Sequence, residues 1–134
     1  MKTIFVDTNV ILDVLLQNEG LWQDSLKVFR SIELGQVSAY ASASSMTDIF
    51  YIVRKKLTLP VARDAMEKLL DIFSIVGVDG DDLRSALSLP ISDMEDALQA
   101  WCAIKAKADA FITRDPDGFV KVDIPVISPA ELVV

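Results

Sequence analysis

Met1-Lys-Thr-Ile-Phe-Val6-Asp7-Thr8-Asn9 is the stretch that decides the fold. Residues 3–6 form a continuous β-prone run, the pattern of a strand covered on both faces. The run stops at once in a carboxylate, a hydroxyl and an amide. Thr8 or Asn9 can cap a following helix that carries Val10, Ile11, Leu12, Val14, Leu15 and Leu16. A buried strand feeding a helix is the first half of a crossover, and crossovers build parallel sheets. In such sheets function gathers at the carboxyl ends of the strands. Asp7 therefore stands where chemistry or a metal is expected.

Outward from this stretch, strands and helices alternate. Gly20 breaks the first helix pattern, and a second helix is expected from about Trp22 to Leu34. Leu26, Val28, Phe29 and Ile32 face inward and Gly35 ends it. Val37 to Ala41 reads as a short strand. Ser42, Ser44 and Ser45 offer an N-cap for a helix through Ile49, Tyr51, Ile52 and Val53, with Arg54, Lys55 and Lys56 at its C-terminal end. Pro60 starts another helix, and residues 74–78 read as a strand. Asp79 to Asp82 opens a helix to about Leu89. Ser92-Asp93-Met94-Glu95 matches a capping box for a helix from Asp96 to Lys107. That helix is apolar nearly all round, as suits a central or interface position. Residues 110–113 and 125–128 read as the last strands, with a turn at 114–118. The expectation is a single domain over residues 1–134: a three-layer α/β/α sandwich around a parallel sheet of four or five strands.

Composition narrows the chemistry. The chain has 134 residues, half of them hydrophobic, with a net charge of −7. One core is sustainable without staples. The charge argues against a broadly basic nucleic-acid binder, though not against a local basic patch. Histidine is absent, which removes Ser-His-Asp and Cys-His catalysis and imidazole zinc sites together. The single cysteine, Cys102, lies in an apolar stretch and reads as inert packing. Any metal must be held by oxygen, which favours Mg²⁺ or Mn²⁺. No leader or membrane-length apolar run is visible, so a cytoplasmic protein without membrane contact is expected.

The acidic residues then fall into place. Asp7 and Asp115 follow strands, so a parallel sheet puts both at one edge. Asp93, Glu95 and Asp96 sit in the first turn of a helix, and Asp48 in the first turns of another. Each has a plain alternative as a helix-dipole partner or turn residue. Asp48 has Ile52 four residues on, which suggests a largely buried face. Asp13 reads as solvated surface. If the acids converge, they repel one another and their pKa values rise. A divalent cation relieves that cost and can activate water for attack on a phosphate. Thr8, Asn9 and Thr113 would orient the acids from behind.

With these residues on the page, the chain resembles the PIN-domain family of metal-dependent ribonucleases. The matching segments are Ile4-Phe-Val-Asp7-Thr8-Asn9-Val-Ile-Leu-Asp13, Ser44-Ser-Met-Thr-Asp48-Ile-Phe-Tyr51, Asp93-Met-Glu-Asp96-Ala-Leu-Gln99 and Phe111-Ile-Thr113-Arg114-Asp115-Pro-Asp117-Gly-Phe119. They cover essentially the whole chain in order. The resemblance implies an acidic pocket for Mg²⁺ or Mn²⁺ and hydrolysis of RNA phosphodiester bonds. Carried over by position, Asp7, Asp48, Asp96 and Asp115 are the four catalytic acids. Asp7, Asp96 and Asp115 are the metal core, with Asp93 and Asp117 as auxiliary acids. Small members of this type resemble the toxins of VapBC-type pairs, which implies homodimers and an antitoxin protein as partner. The second acid is commonly a glutamate in such toxins. Here it is Asp48, one methylene shorter, so it either binds metal through water or contributes little.

Substrate phosphates call for local cations, and Arg114, Arg54, Lys55 and Lys56 are the candidates. Trp22 and Trp101 read as core or dimer contacts. The rival of a different class is a non-catalytic PIN fold that binds RNA or a partner protein, favoured by Asp48 and opposed by the other three acids. A phosphatase with Asp7 as covalent nucleophile would want a second aspartate where Asn9 stands. A receiver-like module would want an acidic pair after the first strand.

Overall fold

The computed structural model describes residues 2–119 and 121–133. Its elements run β1 (Thr3–Val6), α1 (Thr8–Leu15), α2 (Trp22–Glu33), β2 (Ser38–Ser42), α3 (Ala43–Lys56), α4 (Leu59–Ile72), β3 (Ser74–Val76), α5 (Gly80–Leu87), α6 (Met94–Lys105), β4 (Ala110–Ile112) and β5 (Val126–Ile127). Single 3-10 turns cover Pro116–Phe119 and Pro129–Glu131. The five strands pair in the order β3-β2-β1-β4-β5, and every pair is parallel. Ile4 lies between Ala39 and Ala110, and Phe5 between Tyr40 and Phe111.

The unbroken apolar run of β1 is explained by its central place. Side chains alternate across a strand, and both sides of β1 are covered. Ile4 and Val6 enter a core with α1, α2, α3 and α4. Phe5 enters the opposite core, with Phe111 and the α5–α6 pair. The chain leaves β1 across one face toward β2, and returns to β4 across the other. Strand order therefore reverses between β1 and β4, which makes their carboxyl ends a topological switch point. Asp7 and Thr113 continue the odd-numbered alternation of Phe5 and Phe111, so both side chains are on the α6 side.

α6 is the central helix that its composition indicates. Ala97, Leu98, Ala100, Cys102 and Ala103 are all buried, and the small residues allow close approach to the sheet. Burial pushes the Cys102 thiol up to about 11, so it is unreactive packing. Asp82 ties α6 to α5. It accepts from Lys105 Nζ and from Trp101 Nε1, both at 2.9 Å. The Lys105 hydrogen bond, with that of Trp101, holds its carboxyl far below the usual carboxylate range. Among the described residues no helix is long and apolar enough to cross a membrane.

Several local expectations are corrected. The cap of α1 is Asp7 itself, whose carboxylate accepts from the Thr8 N–H at 2.8 Å. The cap of α6 is Asp93 rather than Ser92, and it accepts from the Asp96 N–H at 3.0 Å. In both places a carboxylate takes the position nearest the helix dipole. Asp13 is buried, not solvated, because Arg114 reaches it from the turn after β4. Asp48 is exposed. The buried stripe of α3 runs through Ser45, Met46, Ile49 and Val53, with Asp48 outside it.

Candidate active site

Asp7 is the centre of the site, and its surroundings are built by three elements. β1 ends there, so the side chain is only 5% exposed. One carboxylate oxygen accepts from Thr113 Oγ1 at 2.8 Å, from the end of β4. The other accepts from the Thr8 N–H and, at 3.3 Å, from Gln99 Nε2 on α6. Burial is the larger influence and pushes Asp7 up to about 6, although these donors pull it back down. The charge of Asp96 adds to the rise.

Asp96 stands in the first turn of α6, held by the Asp93 cap. Its own carboxyl is raised, by burial first and then by the charges of Asp93 and Asp115. The charge of Asp96 thus acts on Asp7, and the charges of Asp93 and Asp115 act on Asp96. Asp7 and Asp96 share a cleft of about 370 Å³ with Asp48 and Glu95, where Thr8, Asn9, Ser44 and Thr47 also line the wall. Asp48 therefore reaches the cleft from its exposed side. Asp93 and Asp115 are not among the residues that line it. Asp117 does not join it; it lines a separate depression with Phe119 and Val122.

Sequence reasoning missed Gln99 and Ser45. Gln99 Nε2 has two hydrogens to share among Asp7, Thr8 Oγ1 at 2.6 Å and Ser45 Oγ, and the two hydroxyls lie 2.6 Å apart. Ser45 also bonds Ser42 Oγ at 2.9 Å. A chain of hydroxyls and one amide thus backs Asp7. Gln99 pays for its place there, because its Oε1 is buried without a partner. The signal was available: Gln99 is three residues beyond Asp96, on the same helix face, and is the one amide in an apolar stretch.

The other expected residues have different jobs. Asn9 lines the cleft but does not orient Asp7; its Oδ1 accepts from the Arg114 N–H at 3.3 Å. The Arg114 guanidinium is paired with Asp13 at 2.9 Å. Arg54 and Lys55 are exposed beside Tyr51. They lie at the far end of α3, roughly 18 Å along the helix from its cap at Ser42.

The donor chemistry suits a hard cation. Asp7 and Asp96 are oxygen ligands, both partly desolvated, and their raised pKa values are the cost that a cation would relieve. Among the described residues no three carboxylates close into a ready-made cage.

Comparison with known proteins agrees with the geometry. The chain is 23% identical over 135 residues to Ribonuclease VapC1 of Aquifex aeolicus (strain VF5), covering 97% of this chain and 92% of that protein. It superposes on DNA-bound VapBC from Salmonella typhimurium with a TM-score of 0.72 at 14% identity, over 96% of this chain and 99% of that one. VapC20 of Mycobacterium tuberculosis, a sarcin-ricin loop cleaving toxin, gives a TM-score of 0.66 at 13% identity, over 81% and 86% of the two chains. At these identities the structures share the fold. A family model for the PIN domain matches residues 3–117. With its parallel five-stranded α/β/α sheet and its acids at the β1/β4 switch point, the chain belongs to the PIN-domain family.

Proposed function

We propose that this protein is a divalent-metal-dependent endoribonuclease and the toxin of a toxin–antitoxin pair. The observation that supports the reading is the cleft shared by Asp7 and Asp96, with the charge of Asp115 acting on Asp96, in a chain without histidine. Asp7 supplies a carboxylate turned by three donors and held in one rotamer. Asp96 and Asp115 supply the negative field that attracts a cation, with Asp93 reinforcing it. Bound Mg²⁺ or Mn²⁺ supplies Lewis acidity and neutralises charge on the phosphate. Ser44 and Thr47 offer hydroxyls along the cleft wall for a ribose–phosphate backbone. In this reading water is the attacking group, as in metal-assisted hydrolysis. An RNA extending along α3 would meet Arg54 and Lys55.

The toxin role is supported by the relatives named VapC and VapBC. An antitoxin protein and a second copy of the chain are the partners in this reading. Exposed apolar residues on the α3–α4 hairpin, among them Tyr51, Leu57 and Leu59, support a protein partner.

The test is RNA cleavage by purified protein with Mn²⁺ and with chelator. Cleavage with Mn²⁺ and none with chelator is expected; activity that survives chelation sinks the metal mechanism. The exposed, shortened Asp48 favours a second reading, a non-catalytic module that binds RNA or a partner. Calorimetry separates the two, since a module that binds no divalent ion is not this nuclease.

Gln99→Leu gives a finer check. The substitution removes the orphaned Oε1 and leaves Thr8 and Ser45 bonded to each other. Stability should change by less than about 1 kcal/mol. Asp7 loses a donor, so Mn²⁺ affinity or cleavage should fall roughly 10–100-fold. Thermal melts and a Mn²⁺ titration measure the two effects.

A further inference from the structure

Asp13 lies outside the acidic cleft, yet it is a carboxylate only 1% exposed. Its Oδ1 accepts from Asn18 Nδ2 at 2.8 Å and from the Arg114 guanidinium at 2.9 Å. Its Oδ2 is buried with no partner. Such a carboxylate is expensive to keep in a core, and the only cation paired with it among the described residues is the residue just before Asp115.

The same helix grips Arg114 a second time, through the backbone. The Arg114 N–H donates to Asn9 Oδ1. Asn9 and Asp13 are four residues apart, so a single face of α1 presents both. The neighbours of Arg114 are tied as well. Thr113 Oγ1 donates to Asp7 and accepts from the Asp115 N–H at 3.3 Å. The Asp115 carboxylate itself has no hydrogen bond among the described residues. Its direction is therefore set by the turn that carries it. α1 is a rigid base for that turn, since Val10 and Ile11 are fully buried and its cap is Asp7.

We infer that Asp13, acting through Arg114, is a positioning residue that fixes the turn carrying Asp115, and that Arg114 is a strut and not a phosphate contact. One helix then carries the first acid and fixes the last in register with it. The inference rests on the metal-dependent nuclease reading for its consequence in catalysis, but not for the strut itself.

The experiment uses the full chain with Arg114→Met, Arg114→Lys and Asp13→Asn. In metal-free protein, amide hydrogen exchange at Arg114 and Asp115 should quicken by about tenfold or more in Arg114→Met and Asp13→Asn, with Arg114→Lys closer to wild type. Mn²⁺ affinity by calorimetry should weaken roughly tenfold in the same two variants. In kinetics kcat should fall while KM for RNA holds, and the salt dependence of RNA binding should be unchanged. A phosphate-binding arginine would instead raise KM and reduce the salt slope by about one on substitution; that result overturns the inference. So does unchanged exchange in Arg114→Met. Asp82→Asn, in the α5–α6 tie whose hydrogen bonds go to Asp79, Trp101 and Lys105, controls for general destabilisation: it should lower the melting temperature and leave Mn²⁺ affinity alone. If wild-type protein binds no Mn²⁺, the nuclease reading falls, and the exchange result alone decides the strut.

Discussion

Asp7→Asn is expected to lower RNA cleavage by on the order of 10³-fold, the scale of losing a charge stabiliser at a reacting phosphate. The same substitution should raise the melting temperature of the metal-free protein. The two effects oppose each other because Asp7 is buried for function and not for stability. Asparagine retains an oxygen to cap α1 at the Thr8 N–H and to accept from Gln99. Its amide can donate to Thr113 Oγ1, which turns to accept. What the substitution removes is the charge that burial disfavours.

The pH dependence gives the magnitude and the sign. Folding raises Asp7 from 3.8 to about 6. Between those values the folded protein holds a proton that the unfolded chain has released. Stability therefore falls as pH rises through that window, and the loss is complete above the folded value. Below the unfolded value the carboxyl is neutral in both states and no penalty applies. A shift of this size corresponds to about 3 kcal/mol at most, or a melting-temperature gain of roughly 5–10 °C for Asp7→Asn at neutral pH. Other groups add their own slopes: Asp96 is raised as well, while Asp82, Asp109 and Glu131 are lowered. The difference between wild type and Asp7→Asn isolates Asp7. Urea unfolding of both proteins from pH 4 to pH 7, with chelator present, measures it. Equal stability at all pH values would mean that Asp7 is not desolvated as described. Added Mn²⁺ should stabilise wild type by mass action and leave Asp7→Asn largely unmoved.

Much of this was readable in the first nine residues. A strand covered on both faces has to be apolar throughout, and β1 is. A carboxylate directly after such a strand has few places to be except the switch point. The parity of Phe5 and Asp7, and of Phe111 and Thr113, even fixes which core they face. What the sequence concealed depends on distant partners or on helix phase. Asp13 looks like surface until Arg114, 101 residues away in the chain, arrives to pair with it. Asp48 looks largely buried from Ile52, but the packed stripe of α3 passes through Ile49 and Val53. Ser92 and Asp93 are both good caps, and only the register of α6 against the sheet chooses between them. Gln99 could have been found, because an amide on the face of Asp96 in an apolar helix calls for a polar partner.

Phe111→Ala is expected to be the most destabilising single substitution near the site, at about 3–5 kcal/mol. Phe111 is fully buried on β4. Its ring meets Phe119 edge-on at 4.7 Å and lies 5.7 Å from Phe5. Three rings thus fill the core between the sheet and α6, and alanine would leave a cavity that strands on both sides prevent from closing. Against a total stability of roughly 5–15 kcal/mol, such a loss should lower the melting temperature by about 10–20 °C. Phe29→Ala makes the comparison informative. Phe29 packs edge-on against Phe73 at 5.7 Å in the other core, so its loss should be similar in free energy. Phe111, however, is two residues before Thr113 on the same face, and Phe119 closes the turn that follows Asp115. Measured well below the melting point, Mn²⁺ affinity should fall for Phe111→Ala and hold for Phe29→Ala. Equal affinities would mean that the aromatic floor beneath β4 supports folding alone, and that Thr113 and Asp115 are held entirely by α1.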